Sequence, residues 1–456
     1  MTILKRSRSK GYCLLISANL VSAPYPVYPI GIAHLMGALH EQGHRADHFD
    51  MLASEGYPEL DGKLSRNNYD AIGISIRNID SVDSSSPTAM IEDIATVIGY
   101  VRERCRTTPI VLGGPGFSIM PEELMDYLKA DYGIVGEGEV AFPQLLEKIA
   151  SGEAIPERLI STSLDDYPGC APIFQGNIAG YYVDHGGMLN VQTKRGCSYG
   201  CSYCSYPTIE GKKLRFRPAQ EVVEEIERLR RQFGARYIFF TDGVFNDPFD
   251  HYLKVAEAMI RSGNSTPWCA FFRPQKMGRE ELRLLKRSGM AAMELGTDAS
   301  TDQTLAGLNK GFTFAEVLAL NRTIAEENIP CAHFIIFGGP GETPTTVRQG
   351  LENIAQLGDC IVFAYIGLRI LPDTGLYKQA VAEKIITAQT DIIRPIFYYS
   401  PDIDREFIDT ELRNSFAARR DRIYPMAEME HYVRLIHSLG HSGPLWDRML
   451  SRYLKQ

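Results

Sequence analysis

The segment Gln192-Thr193-Lys194-Arg195-Gly196-Cys197-Ser198-Tyr199-Gly200-Cys201-Ser202-Tyr203-Cys204 places three of the chain's nine cysteines within eight residues. Thiolates are good ligands for iron–sulfur clusters, and short spacings let one loop wrap a cluster. Three cysteines hold three irons of a four-iron cluster, so the fourth iron keeps an open position for a cofactor or substrate, as a catalytic zinc does. A zinc loop is the competing reading, but no fourth Cys or His follows at zinc-knuckle spacing. Lys194 and Arg195 either offset the thiolate charge or lie at the surface.

Such ligands need rigid elements to hold them. From the strand before Lys194 onward, short apolar strands at 237–242, 268–273, 291–298, 332–337 and 361–369 alternate with helices. Six such strands predict a partial (β/α)6 barrel with its chemistry at the carboxyl ends. Ahead of it, apolar strands at 11–20, 71–76, 109–112 and 132–136, each followed by a helical stretch, predict a doubly wound parallel sheet. The turns Gly113-Gly114-Pro115-Gly116 and Gly136-Glu137-Gly138 fall at its ligand-binding edge. There glycine serves either a close cofactor or an ordinary tight turn.

The polar phrase Ser75-Ile76-Arg77-Asn78-Ile79-Asp80 follows a strand, so Arg77 and Asp80 either cap and turn the chain or reach the interdomain cleft as catalytic groups. Residues 151–190, rich in Pro and Gly, read as a linker. After residue 385 a mostly helical cap is expected, in which Tyr398 and Tyr399 either pack or line a pocket over the barrel mouth, with hydroxyls placed for proton transfer. The expected organisation is therefore a first domain at 1–150, a linker at 151–190, a barrel at 191–385 and a cap at 386–456.

The spacing Cys197-x3-Cys201-x2-Cys204, with aromatic Tyr203 before the last cysteine, resembles the signature of the radical S-adenosylmethionine (SAM) superfamily. The pair "LGGPG…PEEL" and "DYGIVGEGE" ahead of it resembles the Rossmann-like cobalamin (B12)-binding-type domain found in many of those enzymes. The resemblance implies a 4Fe-4S cluster on Cys197, Cys201 and Cys204, SAM chelated by the open iron, and its reductive cleavage to a 5′-deoxyadenosyl radical. It also implies roles for strand-end residues. Tyr203 would lie at the cofactor, and Asp242 and Asn246 would line the SAM or substrate side; Gly296, Asp298 and Ser300 match a "G-x-E-S" segment that holds the ribose or amino group. Gly338 and Gly339 match the "GxPGET" turn near adenine, and Arg369 would pair with the SAM carboxylate, an interior ion pair being its alternative. Gly113, Gly114, Gly136 and Glu137 would line cobalamin. The loop at 18–29 lacks the Asp-x-His-x-x-Gly that supplies a histidine to cobalt, which implies either cobalamin without a protein histidine or a domain without cobalamin.

With cobalamin, the implied reaction is C-methylation of a small metabolite or lipid precursor. Without it, the same framework would perform dehydration, epimerisation, another rearrangement or transfer of another SAM fragment. An iron–sulfur electron carrier or redox sensor is the non-enzymatic alternative. The resemblance further implies an electron donor such as flavodoxin or ferredoxin.

The bulk composition is consistent with this. The chain has 456 residues, 44% hydrophobic and 23% charged, enough for several cored domains. A formal net charge of −8 argues against a nucleic-acid partner. There is no apolar run of about eighteen residues, so no stable membrane insertion is expected. The basic start (Lys5, Arg6, Arg8, Lys10) precedes too short an apolar stretch for a signal peptide. Cys13, Cys105, Cys170, Cys269, Cys331 and Cys360 are scattered singly, as reduced core residues are, so a cytoplasmic location is expected. The sequence carries no signal of oligomeric state.

Overall fold

Two parallel sheets, each clothed by helices, form the computed structural model, which describes residues 10–450 apart from 276 and 418. Lys5, Arg6 and Arg8 lie outside the described residues. The first sheet comprises β1 (Tyr12–Ser17), β2 (Arg45–Asp50), β3 (Ala71–Ser75), β4 (Ile110–Gly113), β5 (Tyr132–Gly136) and β6 (Leu159–Thr162), in the order β2-β1-β3-β4-β5-β6. Central strands such as β1 (YCLLIS) and β4 (IVLG) are mostly apolar because both of their faces are covered. One face packs Ile16, Ile74 and Leu112 against the helix Ile91–Arg104; the other packs Leu15 and Ile134 against the helix Gly138–Ser151. The strand order reverses between β1 and β3, which marks the carboxyl edge there as the ligand-binding crevice of such a sheet.

The second sheet is built from β7 (Met188–Val191), β10 (Tyr237–Phe240), β11 (Trp268–Phe272), β12 (Met290–Asp298), β13 (Cys331–Phe337) and β14 (Ile361–Ile366), joined in that order. Short hairpin-like pairs flank it: β8 (Lys194–Arg195) with β9 (Arg215–Phe216), and β15 (Leu368–Arg369) with β16 (Phe397–Tyr398). The six expected barrel strands are thus present, and β17 (Arg422–Ile423) adds a seventh, parallel to the start of β14. Side chains alternate along the strands. Trp268, Ala270 and Phe272 point to the helical layer, while Cys269 and Phe271 point to the interior. The segment expected to be a linker contains β6, which completes the first sheet, and the helix Gly176–Gly186. In the cap, the helices Arg405–Phe416 and Ala427–Ser438 accompany the short strands β16 and β17. Among the described residues no helix is long and apolar enough to cross a membrane.

Buried ion pairs join the two sheets. Arg369 Nε meets Asp80 Oδ2 at 2.7 Å, and Arg195 Nη2 meets Glu139 Oε1 at 2.6 Å, with all four side chains buried. Removing one partner of such a pair strands the other charge without water. Arg369→Ala is therefore expected to destabilise the protein by about 3–5 kcal/mol, read as a denaturation midpoint, and Asp80→Asn in the same chain should recover part of that loss. Unchanged stability with weakened SAM binding would instead put Arg369 on the cofactor.

Candidate active site

The cysteine loop is pinned by backbone from several elements. The Cys197 N–H donates to Gly211 O at 3.0 Å, the Ser202 N–H to Leu308 O at 3.0 Å, and Ser202 O accepts from the Leu376 N–H at 2.7 Å. Cys197 is buried, Cys201 and Cys204 are half-buried, and all three are free thiols. Burial pushes the Cys204 thiol up to about 12, with Cys201 and Cys197 adding like-charge repulsion. Thiolates so placed need positive charge to persist. Arg273 Nη1 lies 3.9 Å from Cys201 Sγ, with its guanidinium 4.1 Å above the Tyr199 ring centroid.

Asp242, just past β10, anchors the strand that feeds the loop. Its Oδ1 accepts the Thr193 N–H at 2.8 Å, and its Oδ2 accepts Lys194 Nζ at 2.8 Å and the Thr193 hydroxyl. Lys194 is thus neither free at the surface nor turned to the thiolates. Asn246 clamps the backbone of Arg273 in both directions: Oδ1 accepts its N–H at 2.9 Å and Nδ2 donates to its carbonyl at 3.0 Å. Arg273 was not singled out by sequence reasoning, although it ends a barrel strand as the other site residues do.

Asp298 closes β12 in the left-handed region (φ +62°), after a register shift between Gly296 and Asp298. A non-glycine residue held there is strained and needs support from its surroundings. That support comes from Tyr203, whose hydroxyl donates to Asp298 Oδ2 at 2.6 Å, and from the buried Lys310, whose ammonium pairs with the same oxygen. Tyr203 so links the cysteine loop to the end of β12. Lys310 sits between two helices, where no strand-end pattern marks it. Ser300 turns into packing, its Oγ occupying the space a Cβ on Gly350 would need.

In the Gly338-Gly339 turn, Glu342 Oε2 accepts the Gly338 N–H at 3.3 Å, and burial pushes its carboxyl up to about 7. Tyr399 packs beside this turn with its hydroxyl buried and without a hydrogen bond. Tyr398 points elsewhere, donating to Glu383 Oε2 at 2.8 Å. Arg369 binds Asp80 at 2.7 Å and the carbonyls of Ile370 and Ile392 at 2.6 Å, so each of its three nitrogens is already bonded to protein.

At the first sheet's edge, Gly114 (φ +95°) and Gly136 (φ +83°) make tight turns whose Cβ space is taken by the Ile76 and Thr162 carbonyls, at 2.7 and 2.6 Å. Gly113 is open by comparison, nothing lying closer to its Cβ position than 3.8 Å. Glu137 pairs with Arg215 Nη1 at 2.5 Å and so ties that turn to the hairpin bearing the cysteine loop. Arg77 makes no hydrogen bond or ion pair to any described residue. It lies in the cleft within electrostatic reach of Tyr25, Tyr182 and Tyr206, and burial pulls its guanidinium below the usual range.

Two family models match the chain: the radical SAM superfamily over residues 191–354 and the B12 binding domain over residues 16–146. The chain carries a radical SAM domain and a B12-binding domain. It is 26% identical to a tryptophan 2-C-methyltransferase from Streptomyces laurentii, across 81% of this chain and 74% of that protein. It is 23% identical to a hopanoid C-3 methylase from Methylococcus capsulatus, across 62% and 55%. Its fold matches the radical SAM methyltransferase TsrM from Kitasatospora setae, solved with cobalamin and a 4Fe-4S cluster, with a TM-score of 0.85 at 22% identity over 97% of both chains. The cobalamin-dependent radical enzyme OxsB matches with a TM-score of 0.70 at 13% identity, over 94% of this chain and 72% of that one. The fold class expected from sequence is thereby borne out, and both resemblances are matched by a family model.

The barrel of the radical SAM domain also holds a titratable group that sequence reasoning passed over. Glu294, mid-strand on β12, is 3% exposed; its Oε1 accepts Trp446 Nε1–H at 3.0 Å. Burial pushes its carboxyl from 4.5 to about 7, the indole hydrogen bond opposing this only in part. An acid whose pKa is raised on folding costs stability progressively as pH rises from 4.5 towards 7, and fully above that. Glu294→Gln is therefore expected to raise the unfolding free energy of the cofactor-free protein at pH 8 by about 3 kcal/mol, read as a higher denaturation midpoint, and to change it little at pH 5.

Proposed function

We propose that the protein methylates a carbon atom of a small molecule, using SAM and cobalamin. The observation that carries this reading is the juxtaposition of a three-cysteine loop with a B12-type sheet whose carboxyl edge is ion-paired to the same loop hairpin. The named methyltransferases among its relatives support the reaction class. A cytoplasmic location and a low-potential electron donor of the flavodoxin or ferredoxin class go with it, since free thiols and an iron–sulfur centre need reducing surroundings.

The residues present fit the cofactors. Three disulfide-free cysteines on one loop, with Arg273 beside Cys201, suit a cluster with one open iron. For cobalamin, the donor set of the first domain is informative. His48 is 2% exposed and bonded to Ser17 Oγ at 2.8 Å, and burial lowers it to about 3, so it is a satisfied neutral ring inside the sheet. At the cleft stands Arg77, a guanidinium that remains protonated and has no lone pair for a metal. The site therefore suits a corrin whose cobalt takes no ligand from this chain.

When bound, the cluster, SAM and cobalamin supply the methyl group and its activation. The chain's own contribution is placement. Cys197, Cys201 and Cys204 would hold three irons, and Arg273 would offset thiolate charge. Asp298, with Tyr203 and Lys310, offers a fixed polar corner for SAM's ribose or ammonium, and the Gly338-Gly339 backbone offers a flat edge for its base. Arg77, which has no hydrogen-bond or ion-pair partner among the described residues, is the polar group the chain offers toward cobalamin and substrate, whereas the Tyr399 hydroxyl is shut into packing beside the Gly338 turn. The reading is tested by purifying the protein from cells supplied with cobalamin. About one corrin per chain, with a visible spectrum unaltered by replacing any first-domain histidine, is the expected result; failure to retain corrin under anaerobic reconstitution would overturn it.

A further inference from the structure

The inward faces of the barrel strands carry groups that the cluster site does not use. Phe239, Phe271 and Phe334 form a row across β10, β11 and β13, with centroid separations of 5.4 and 6.2 Å. Phe271 lies on a central strand of the sheet and faces the interior, yet it is 39% exposed. A phenyl ring in that position is exposed only where a cavity adjoins it. Gly296 adds room on the same face, since nothing lies closer to its Cβ position than 3.8 Å. From Glu294 to Asp298 the inward face of β12 spans about 13 Å at the rise of a strand, long enough to lie alongside an aromatic ring.

Glu294 sits at the foot of this space, paired in register with Phe271 on one side and Ala332 on the other. One oxygen is answered by Trp446, while the other makes no hydrogen bond and no ion pair to any described residue. Tyr25, reaching in from the first domain, and Tyr365 lie close enough to feel its charge without bonding to it. A buried carboxyl without a counter-cation and with an idle oxygen is destabilising, and Phe271, Tyr25 and Tyr365 around it are aromatic. An arrangement of this kind has a use if a ligand completes it.

We propose that the barrel interior is the substrate pocket, and that Glu294 selects a flat aromatic substrate by accepting a hydrogen bond from its ring N–H or from an O–H on the ring. The proposal deepens the methyl-transfer reading by naming the substrate class, and rests on that reading only for the fate of the bound ring.

The test uses the full chain, reconstituted anaerobically with iron, sulfide and cobalamin, and titrates two matched probe pairs by calorimetry: indole with 1-methylindole, and phenol with anisole. Each donor-bearing probe is expected to bind about tenfold more tightly than its methylated partner, because the methylated ring leaves the carboxyl unanswered. Glu294→Gln, whose side-chain oxygen still accepts from Trp446, is expected to erase that preference and leave the methylated probes' affinities unchanged. Equal binding within both pairs, a preference that survives Glu294→Gln, or no saturable binding by any of the four probes would each overturn the proposal. Methyl transfer from SAM to cobalamin, measured without substrate, separates the two readings. If it occurs while the preference is missing, only the pocket assignment falls; if the preference is found but transfer is not, only the methyl-transfer reading falls.

Discussion

Replacing Cys204 with alanine is expected to abolish the visible iron–sulfur absorbance of the reconstituted protein and to reduce SAM turnover to the level of the cofactor-free chain. The loss should be complete because the loop supplies all of the protein's sulfur ligands. Among the described residues no group of three Cys, His, Asp or Glu is already gathered to hold a metal, these cysteines included, so the loop must draw its sulfurs around the cluster and nothing else stands ready in their place. Cluster cysteines act on separate irons, so two of them leave the cluster short of a ligand that water replaces poorly. The fold should survive, since the loop is held through backbone hydrogen bonds from Gly211, Leu308 and Leu376 rather than through the sulfurs. Far-ultraviolet circular dichroism would check this. Retention of a full cluster by the variant would contradict the assignment of these three residues.

The second large effect is expected at Asp298. Its carboxylate is the shared partner of Tyr203 from the cysteine loop and of the buried Lys310. Asp298→Asn keeps an acceptor for the tyrosine and a side chain that tolerates left-handed backbone, but removes the charge that pairs with Lys310. If this corner positions SAM, its affinity should fall on the order of 10²-fold, the scale on which small displacements of a reacting partner are felt. Part of any accompanying instability would come from stranding Lys310, and the double variant Asp298→Asn with Lys310→Met should restore it. SAM affinity should remain low in the double variant. Recovery of affinity along with stability would show that Asp298 serves only to neutralise the lysine.

The ligand loop and the alternation of strand and helix were legible from sequence because each is local. Three cysteines at fixed spacing and apolar runs of strand length need no partner to be recognised. The strand-end residues were legible as positions but less so as contacts. Arg369 and Asp80 were each assigned to ligand or cleft, and the structure joins them across 289 residues of sequence. Asp242 and Asn246 lie at the expected strand end, yet their side chains grip Thr193, Lys194 and the backbone of Arg273. Arg273, Lys310 and Glu294 escaped notice because a single charged residue in a strand or turn has no pattern. Their significance arises from burial and from what distant elements place beside them. The two-residue strand β17 lies in a charged stretch, where the apolar periodicity that betrays longer strands is missing.

The central claim is that this chain moves the methyl group of SAM, through cobalamin, to carbon. The most direct measurement is anaerobic incubation of the cobalamin-loaded, cluster-reconstituted protein with a chemical reductant and SAM carrying a trideuterated methyl group, followed by mass analysis of the corrin and of the SAM-derived products. Transfer of the intact label to the corrin, with one S-adenosylhomocysteine formed per label moved, is the predicted result. Formation of 5′-deoxyadenosine with the label left entirely on methionine, and none on the corrin, would contradict it.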